Sequence, residues 1–137
     1  NYTGAVSILN IISNDMEQNK NGFIVGVSSV AGDRGRKANY IYGSSKAAFS
    51  AYLSGLRNRL HESGVKVLTV KPGFVATKMT AKLDLPTKLT AQPEDVAKDI
   101  FTAQQKGKDI LYTKPIWRVI MMIIKIIPEW KFKGMSI

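Results

Sequence analysis

Two short apolar runs separated by a helical pattern constrain the fold of this chain more than any other feature. Residues 23–27 read Phe-Ile-Val-Gly-Val and residues 65–70 read Val-Lys-Val-Leu-Thr-Val, and each run follows a glycine. Such runs are typical of strands buried on both faces of a parallel sheet. Residues 42–62 lie between them and carry small and apolar residues at helical spacing. A strand, a helix and a second strand make a βαβ unit, so the sequence predicts an α/β fold.

Further segments extend this unit on both sides. Apolar side chains repeat at helical spacing before the first strand, and early acidic residues follow Pro93 as they do at helix starts. We therefore expect three parallel strands with flanking helices. The additional elements are helices at residues 1–18 and 90–105, a third strand at 109–112, and loops at 30–41 and 78–92.

The C-terminal segment has a different character. Residues 115–128 are very apolar but are interrupted by Arg118 and Lys125, and they are too short to span a bilayer, which needs about 20 residues. Tryptophans and lysines around such a helix favour the headgroup layer of a membrane. Burial against the domain or a partner subunit is the alternative. We predict a catalytic part at residues 1–113 and a basic, apolar tail helix at 114–137.

The charge distribution bears on possible partners. The chain carries a net charge of +10, and from Lys106 onward seven basic and two acidic residues give a net +5. Half of the excess thus lies beside the most apolar segment, which suits an anionic membrane surface. Outside the tail, no strand face interleaves aromatic with basic residues as single-stranded nucleic-acid binders do. We therefore expect no nucleic-acid partner.

Cysteine and histidine usage limits the chemistry. The absence of cysteine excludes disulfides and thiolate metal sites in this chain, and it fits a reducing compartment, so we predict a cytoplasmic protein. The single histidine, His61, lies at a predicted helix end, where the helix dipole and solvent explain it. One histidine cannot build a zinc site of the usual kinds, and no metal is predicted.

Three side chains have a spacing that suits proton transfer. Tyr42 and Lys46 stand four residues apart and thus share one face of a helix. A nearby ammonium favours the phenolate form of a tyrosine, which could then exchange a proton with a carbonyl or an alcohol. Ser29 follows the first strand and could hydrogen-bond the same oxygen. A surface tyrosine and lysine on an ordinary helix is the alternative for this pair taken alone.

In combination with other motifs, these residues make the chain resemble the short-chain dehydrogenase/reductase family. The resemblance covers residues 1 to about 80 and depends on motifs in a fixed order. The motifs are Asn1-Tyr-Thr-Gly4, Ile24-Val-Gly-Val-Ser-Ser29-Val-Ala-Gly32, Tyr42-Gly-Ser-Ser-Lys46, and Pro72-Gly73-Phe-Val75-Ala-Thr77.

This resemblance implies an NAD(P)-linked oxidoreductase that acts on a carbonyl/alcohol pair. Tyr42 would be the general acid/base, and Lys46 would tune it and hydrogen-bond the nicotinamide ribose. Ser29 would orient the substrate oxygen, and Asn1 would hold a water molecule in the proton relay.

The resemblance also implies a position for the cofactor, NAD or NADP. Pro72, Gly73, Val75 and Thr77 would line the nicotinamide pocket. The backbone of Val75 and the hydroxyl of Thr77 would meet the carboxamide. The implied fold is Rossmann-type, a doubly wound parallel sheet.

One feature departs from the family pattern. The chain has eleven glycines but no Gly-x-Gly pair, and the dinucleotide fingerprint needs such a pair between a strand and a helix. We therefore expect this chain to be the C-terminal half of a longer protein, with the N-terminal nucleotide-binding half outside it. The fragment alone is expected to be inactive.

The leading hypothesis is a reductase or dehydrogenase of a lipid-like or otherwise apolar small molecule. Residues 90–133 resemble the tail of reductases acting on polyprenyl-phosphate sugars, such as decaprenylphosphoryl 2-keto-ribose reductases. That resemblance implies that the basic residues of the tail face a lipid phosphate. The composition of the tail predicts peripheral membrane contact, and the alanine-rich helix at 42–62 predicts a homo-oligomer. A non-catalytic nucleotide-binding relative and a basic membrane-surface protein are the alternatives. Arg34, Arg36 and Lys37 are predicted to be solvated, the alternative being contact with an anionic substrate.

Overall fold

The computed structural model describes residues 1–136 and has an α/β architecture. The strands are β1 (Phe23–Val27), β2 (Lys66–Pro72), β3 (Phe74–Val75), β4 (Thr90–Ala91) and β5 (Ile110–Thr113). The helices are α1 (Thr3–Gln18), α2 (Tyr40–Leu60), α3 (Pro93–Gln105), α4 (Ile116–Ile126) and α5 (Glu129–Phe132). Short 3-10 turns span Val30–Gly32 and Thr87–Leu89.

The central sheet has three parallel strands in the order β1-β2-β5. Ile24 of β1 is level with Val67 of β2, and Thr69 of β2 is level with Ile110 of β5. All carboxyl ends of these strands therefore lie at one edge of the sheet. Helices cover both faces, so the predicted fold, part of a doubly wound parallel sheet, is confirmed.

Helices α1 and α2 cover one face of the sheet. Leu53 and Leu60 of α2 are fully buried against Ile24 and Val67, and Leu9 of α1 packs on the same cluster. The sequence also predicts Ala47 and Ala51 on this buried side, but both are exposed. The larger side chains of the helix occupy the core because they remove more apolar surface from water.

Helix α3 covers the other face. Ala103 packs on Leu68 and Val70 of β2, all of them buried. Alternate residues of β2 point to opposite faces, as strand geometry requires. Pro93 begins α3, and Glu94 and Asp95 lie in its first turn, where acidic side chains favour the helix dipole.

A small parallel pair, β3 and β4, was not expected. Phe74 is level with Thr90 and Val75 with Ala91, whereas the sequence places residues 90 and 91 at a helix start. Strands of two residues have no detectable periodicity, so their pairing depends on tertiary contacts alone. This pairing fixes the position of the two residues that follow the Pro72-Gly73 motif, Phe74 and Val75.

The C-terminal segment forms two helices instead of the single predicted one, because Pro128 separates α4 from α5. Trp117, Met121 and Ile124 of α4 are buried together with Val30. The opposite side of α4 is exposed. Among residues 1–136, no helix is both long and apolar enough to cross a membrane.

Two glycines allow the turn after β1 to approach α2 closely. A Cβ atom at Gly32 would lie 2.7 Å from the backbone nitrogen of Ala47. A Cβ atom at Gly43 would lie 2.8 Å from the backbone oxygen of Ala31. No side chain fits at such distances, so the turn and the start of α2 touch through their backbones. We call Ser29 and the turn Val30–Gly32 the serine turn.

Replacing Gly43 should therefore separate the serine turn from α2. We expect Gly43→Ala to destabilise the protein by about 1–3 kcal/mol, since a methyl group must displace backbone atoms. Gly55→Ala in the same helix is the matched control, because its Cβ has no neighbour within 4 Å. The control should be stabilising by up to about 1 kcal/mol through helix propensity. Denaturant unfolding measures both, and equal stabilities of the two variants would contradict the close approach.

Candidate active site

The serine turn begins where β1 ends at the carboxyl edge of the sheet. Ser29 precedes the 3-10 turn, and its side-chain oxygen accepts the backbone N–H of Ala31 at 3.1 Å. The residue is 8% exposed. Its backbone is extended, so the hydroxyl caps the turn. The turn thereby fixes the orientation of the predicted catalytic hydroxyl.

Ser28 connects β1 to α2, a role that sequence reasoning missed. Its hydroxyl donates to the backbone oxygen of Lys46 at 3.0 Å and lies 2.7 Å from the hydroxyl of Ser50. The only sequence signal is the pair of adjacent serines. Since Ser28 is buried, this bond holds the helix turn that carries Lys46 against the end of the strand.

Lys46 belongs to α2, and its side chain reaches the end of β1. Its ammonium donates to the backbone oxygen of Val27 at 2.9 Å and lies 5.8 Å from the centre of the Tyr42 ring. Burial lowers the pKa of Lys46, because desolvation penalises the charged form. The bond to Val27 partly replaces the lost hydration.

Tyr42 and Asn1 line one cavity of about 500 Å³ at the start of α2, together with Ser45. Asn1 precedes α1, which begins at Thr3 and not at residue 1. Tyr42 is 36% exposed, so its phenol is accessible from solvent. The structure thus places these two predicted residues on the same side of α2.

The predicted cofactor residues follow β2. Pro72 ends β2, Gly73 connects it to β3, and Val75 ends β3. Thr77 is exposed and lines a second cavity of about 680 Å³ with residues of the 78–92 segment. All four therefore lie on the segment that leaves the carboxyl edge of the sheet.

Thr80 organises this segment and was missed by sequence reasoning. Its hydroxyl donates to the backbone oxygen of Val75 at 2.6 Å and accepts the backbone N–H of Thr77 at 3.0 Å. It thus holds the two residues that the family resemblance assigns to the carboxamide. A threonine in a Lys- and Thr-rich loop has no sequence signal that would distinguish it.

A buried ionic network behind the serine turn was also missed. The carboxylate of Asp33 is 3% exposed and pairs with the Lys71 ammonium at the end of β2. The phenol of Tyr112 on β5 donates to the second carboxylate oxygen at 2.7 Å. Burial and this hydrogen bond to Asp33 raise the pKa of Tyr112 above its ordinary range. The network thus joins Asp33, the residue after the serine turn, to β2 and β5.

The prediction that Arg34 is solvated is wrong. Its side chain is 14% exposed and donates to the backbone oxygens of Ile124 and Ile127, each at 2.6 Å. The guanidinium is thereby committed to the end of α4. Long-range pairings of this kind leave no trace in local sequence. Arg36 is partly buried and Lys37 is exposed.

These contacts place the Ser29 hydroxyl and the Lys46 ammonium at the carboxyl end of β1, and the centre of the Tyr42 ring lies 5.8 Å from that ammonium. Such a group can hydrogen-bond a carbonyl oxygen and exchange a proton with it. The geometry is therefore suited to acid–base chemistry at a carbonyl or alcohol.

Comparison with known proteins identifies the family. A family model described as short chain dehydrogenase matches residues 1–88. An uncharacterized oxidoreductase of Mycobacterium tuberculosis is 36% identical over 134 residues, which are 98% of this chain and 53% of that protein. An uncharacterized oxidoreductase of Streptomyces coelicolor is 34% identical over 137 residues, 100% of this chain and 54% of that protein.

A solved structure shares the fold. The short chain dehydrogenase of Burkholderia cenocepacia, crystallised in complex with NADP, superposes with a TM-score of 0.80 at 22% identity. The match covers 91% of this chain and 51% of that one. The chain spans about half the length of the curated relatives it matches. The family match covers more than half of the residues, and the chain belongs to the short-chain dehydrogenase family.

Proposed function

We propose that the protein containing this chain is an NAD(P)-dependent oxidoreductase that interconverts a carbonyl and an alcohol. The observation that carries the proposal is the packing of the serine turn against the start of α2, where Tyr42 and Lys46 lie. The oxidoreductase relatives support the reaction class. The nicotinamide supplies or accepts the hydride when it is bound.

The side chains of this chain would move the proton. In reduction, Tyr42 would donate its phenolic proton to the substrate oxygen, and Ser29 would hydrogen-bond that oxygen and orient it. The ammonium of Lys46 would favour the resulting phenolate electrostatically. Asn1, in the cavity it shares with Tyr42, would hold the water that returns the proton.

The segment after β2 has donors and acceptors that suit a nicotinamide carboxamide. Val75 would meet the carboxamide through its backbone, whose carbonyl oxygen also accepts the Thr80 hydroxyl at 2.6 Å. Thr77 offers an exposed hydroxyl that lines the neighbouring cavity. Pro72 and Gly73 would form the wall against the ring. The ammonium of Lys46 would reach the ribose hydroxyls. This donor set fits NAD and NADP equally well.

The tail supports a lipid-like substrate and peripheral membrane contact. Five apolar side chains lie on the exposed side of α4, and Arg118 and Lys125 line a surface cavity together with two of them, Met122 and Ile126. The exposed fractions of the five range from 51% for Ile116 and Val119 to 74% for Ile126. An apolar face bordered by cations complements an anionic lipid surface. The set is Ile116, Val119, Met122, Ile123 and Ile126.

This arrangement favours a substrate that enters from the membrane, including the polyprenyl-phosphate sugars suggested by residues 90–133. We propose a cytoplasmic protein that touches the bilayer peripherally through α4. We also propose a homo-oligomer, supported by the exposed small residues Ala47 and Ala51 on the outer side of α2.

The reductase proposal predicts a specific loss of turnover. We expect Tyr42→Phe in the full-length protein to lower kcat by roughly 10²- to 10⁴-fold, because the proton donor is removed. Tyr52→Phe is the matched control on the same helix, where the phenol donates to Asn10 at 2.8 Å. It should leave kcat unchanged. Oxidation of NADH and NADPH with a panel of apolar ketones measures both variants. Equal turnover of Tyr42→Phe and the control would overturn the proposal.

A second prediction concerns cofactor binding. The 137-residue chain titrated with NADH and NADPH should show no saturable change in nicotinamide fluorescence, because its glycines supply no dinucleotide fingerprint. The full-length protein should bind one of the two cofactors saturably. Saturable binding by the short chain would contradict the expectation that a further nucleotide-binding half is needed.

Membrane contact predicts binding to anionic vesicles. The full-length protein should sediment with vesicles of phosphatidylglycerol and phosphatidylcholine, and less so as salt rises. The double substitution Met122→Glu and Ile126→Glu should weaken binding by at least about tenfold. Phe101→Glu on α3 is the control, since Phe101 is also apolar and 63% exposed. Failure to bind, or dimerisation through this face in light scattering, would contradict the membrane proposal.

A further inference from the structure

We propose that Arg34 is a positioning residue of the active site, which holds the serine turn in place by fixing helix α4 behind it. The inference depends on the proposed reductase function, because it assigns Arg34 to that site. It concerns a residue that touches neither of the predicted catalytic side chains Tyr42 and Lys46.

The contacts of Arg34 all lead to the C-terminal segment. One guanidinium nitrogen donates to the backbone oxygens of Ile124 and Ile127 at 2.6 Å. The other pairs with Glu129 at 2.9 Å, and the guanidinium lies 3.7 Å from the centre of the Phe132 ring. One side chain from the 30–41 loop thus connects α4, the following turn and α5.

These contacts strengthen the bonding of carbonyl oxygens at the end of α4, where the oxygen of Ile124 also accepts the N–H of Ile127 at 3.4 Å. The last carbonyls of a helix have no partner within the helix, and a cation there is favoured by the helix dipole. Only a planar guanidinium presents several donors in a fixed fork. A lysine at this position could keep the charge but not the same set of bonds.

Helix α4 lies directly behind the predicted catalytic groups. Val30, the residue after Ser29, is 4% exposed and packs with Trp117, Met121 and Ile124. The Trp117 indole also covers Gly73, where a Cβ atom would overlap its ring nitrogen. The same nitrogen donates to the backbone oxygen of Leu89 at 3.1 Å. A shift of α4 would therefore move both the serine turn and the turn after β2.

The residue before Arg34 fixes the loop from the other side. Lys71 and Tyr112 bind the Asp33 carboxylate, so the backbone that leads into Arg34 is fixed at Asp33. Asp33 therefore contacts the strands, and Arg34 contacts α4. Helix α4 in turn packs against Val30, the neighbour of Ser29. Misplacement of a catalytic group by about 1 Å can cost about 10²-fold in rate.

The test compares Arg34→Met with Lys37→Met in the full-length protein with its cofactor. Both substitutions remove one positive charge from the same loop, and Lys37 is exposed. We expect Arg34→Met to lower kcat about tenfold while the KM for the nicotinamide cofactor stays unchanged. Amide exchange at Gly32 and Asp33, whose N–H groups donate to Ser29 and Val30, should become faster. Lys37→Met should change neither quantity.

Arg34→Lys serves as the second variant if the methionine variant does not fold. It keeps the charge but loses the fork, so kcat should fall and exchange at Gly32 should rise, each by less than in Arg34→Met. Wild-type kcat and exchange in both Arg34 variants would overturn the inference. A raised substrate KM with unchanged kcat and exchange would also overturn it, by assigning Arg34 to substrate binding. A wild-type protein without reductase activity would overturn the proposed function, whereas the exchange measurement would still test the contact.

Discussion

The backbone contact between the serine turn and α2 is the constraint on which the rest of the site depends. Gly32 and Gly43 allow this contact because any side chain at either position would meet backbone atoms. Ser28 then bonds the backbone of Lys46, and Lys46 bonds the backbone of Val27. Strand, turn and helix are thereby joined at the point where the three predicted catalytic side chains leave the backbone.

A second set of contacts connects the predicted site to β2, β5 and α4. Asp33 joins the serine turn to β2 and β5, and Trp117 packs α4 against Gly73. These groups are buried or nearly so, and a buried carboxylate is tolerated only when cations and donors satisfy it. The predicted site is therefore supported by the C-terminal segment, whose helix α4 contributes one face to the core and leaves the other exposed.

Much of the fold could be predicted because its signals are local. Apolar runs located β1 and β2, and helical spacing located α2. Pro93 and two acidic residues indicated α3, but the helix begins at Pro93 and not at residue 90. The roles that escaped prediction depend on residues far apart in sequence. Arg34 meets Ile124 across 90 positions, and Tyr112 meets Asp33 across 79. The β3–β4 pair escaped prediction because each strand has two residues, too few to show a periodic pattern.

At Lys46 the proposed function and the stability of the fold have opposite requirements. Burial lowers its pKa, so the folded state favours the neutral amine more than the unfolded chain does. The unfolded chain thus binds more protons, and this group costs stability at neutral pH; the cost declines as pH rises toward the ordinary lysine value of 10.5. In the proposed reaction the charged form of Lys46 would favour a phenolate of Tyr42, whose ring centre lies 5.8 Å away, so the charge that burial makes costly for folding is the one that the proposal uses for proton transfer.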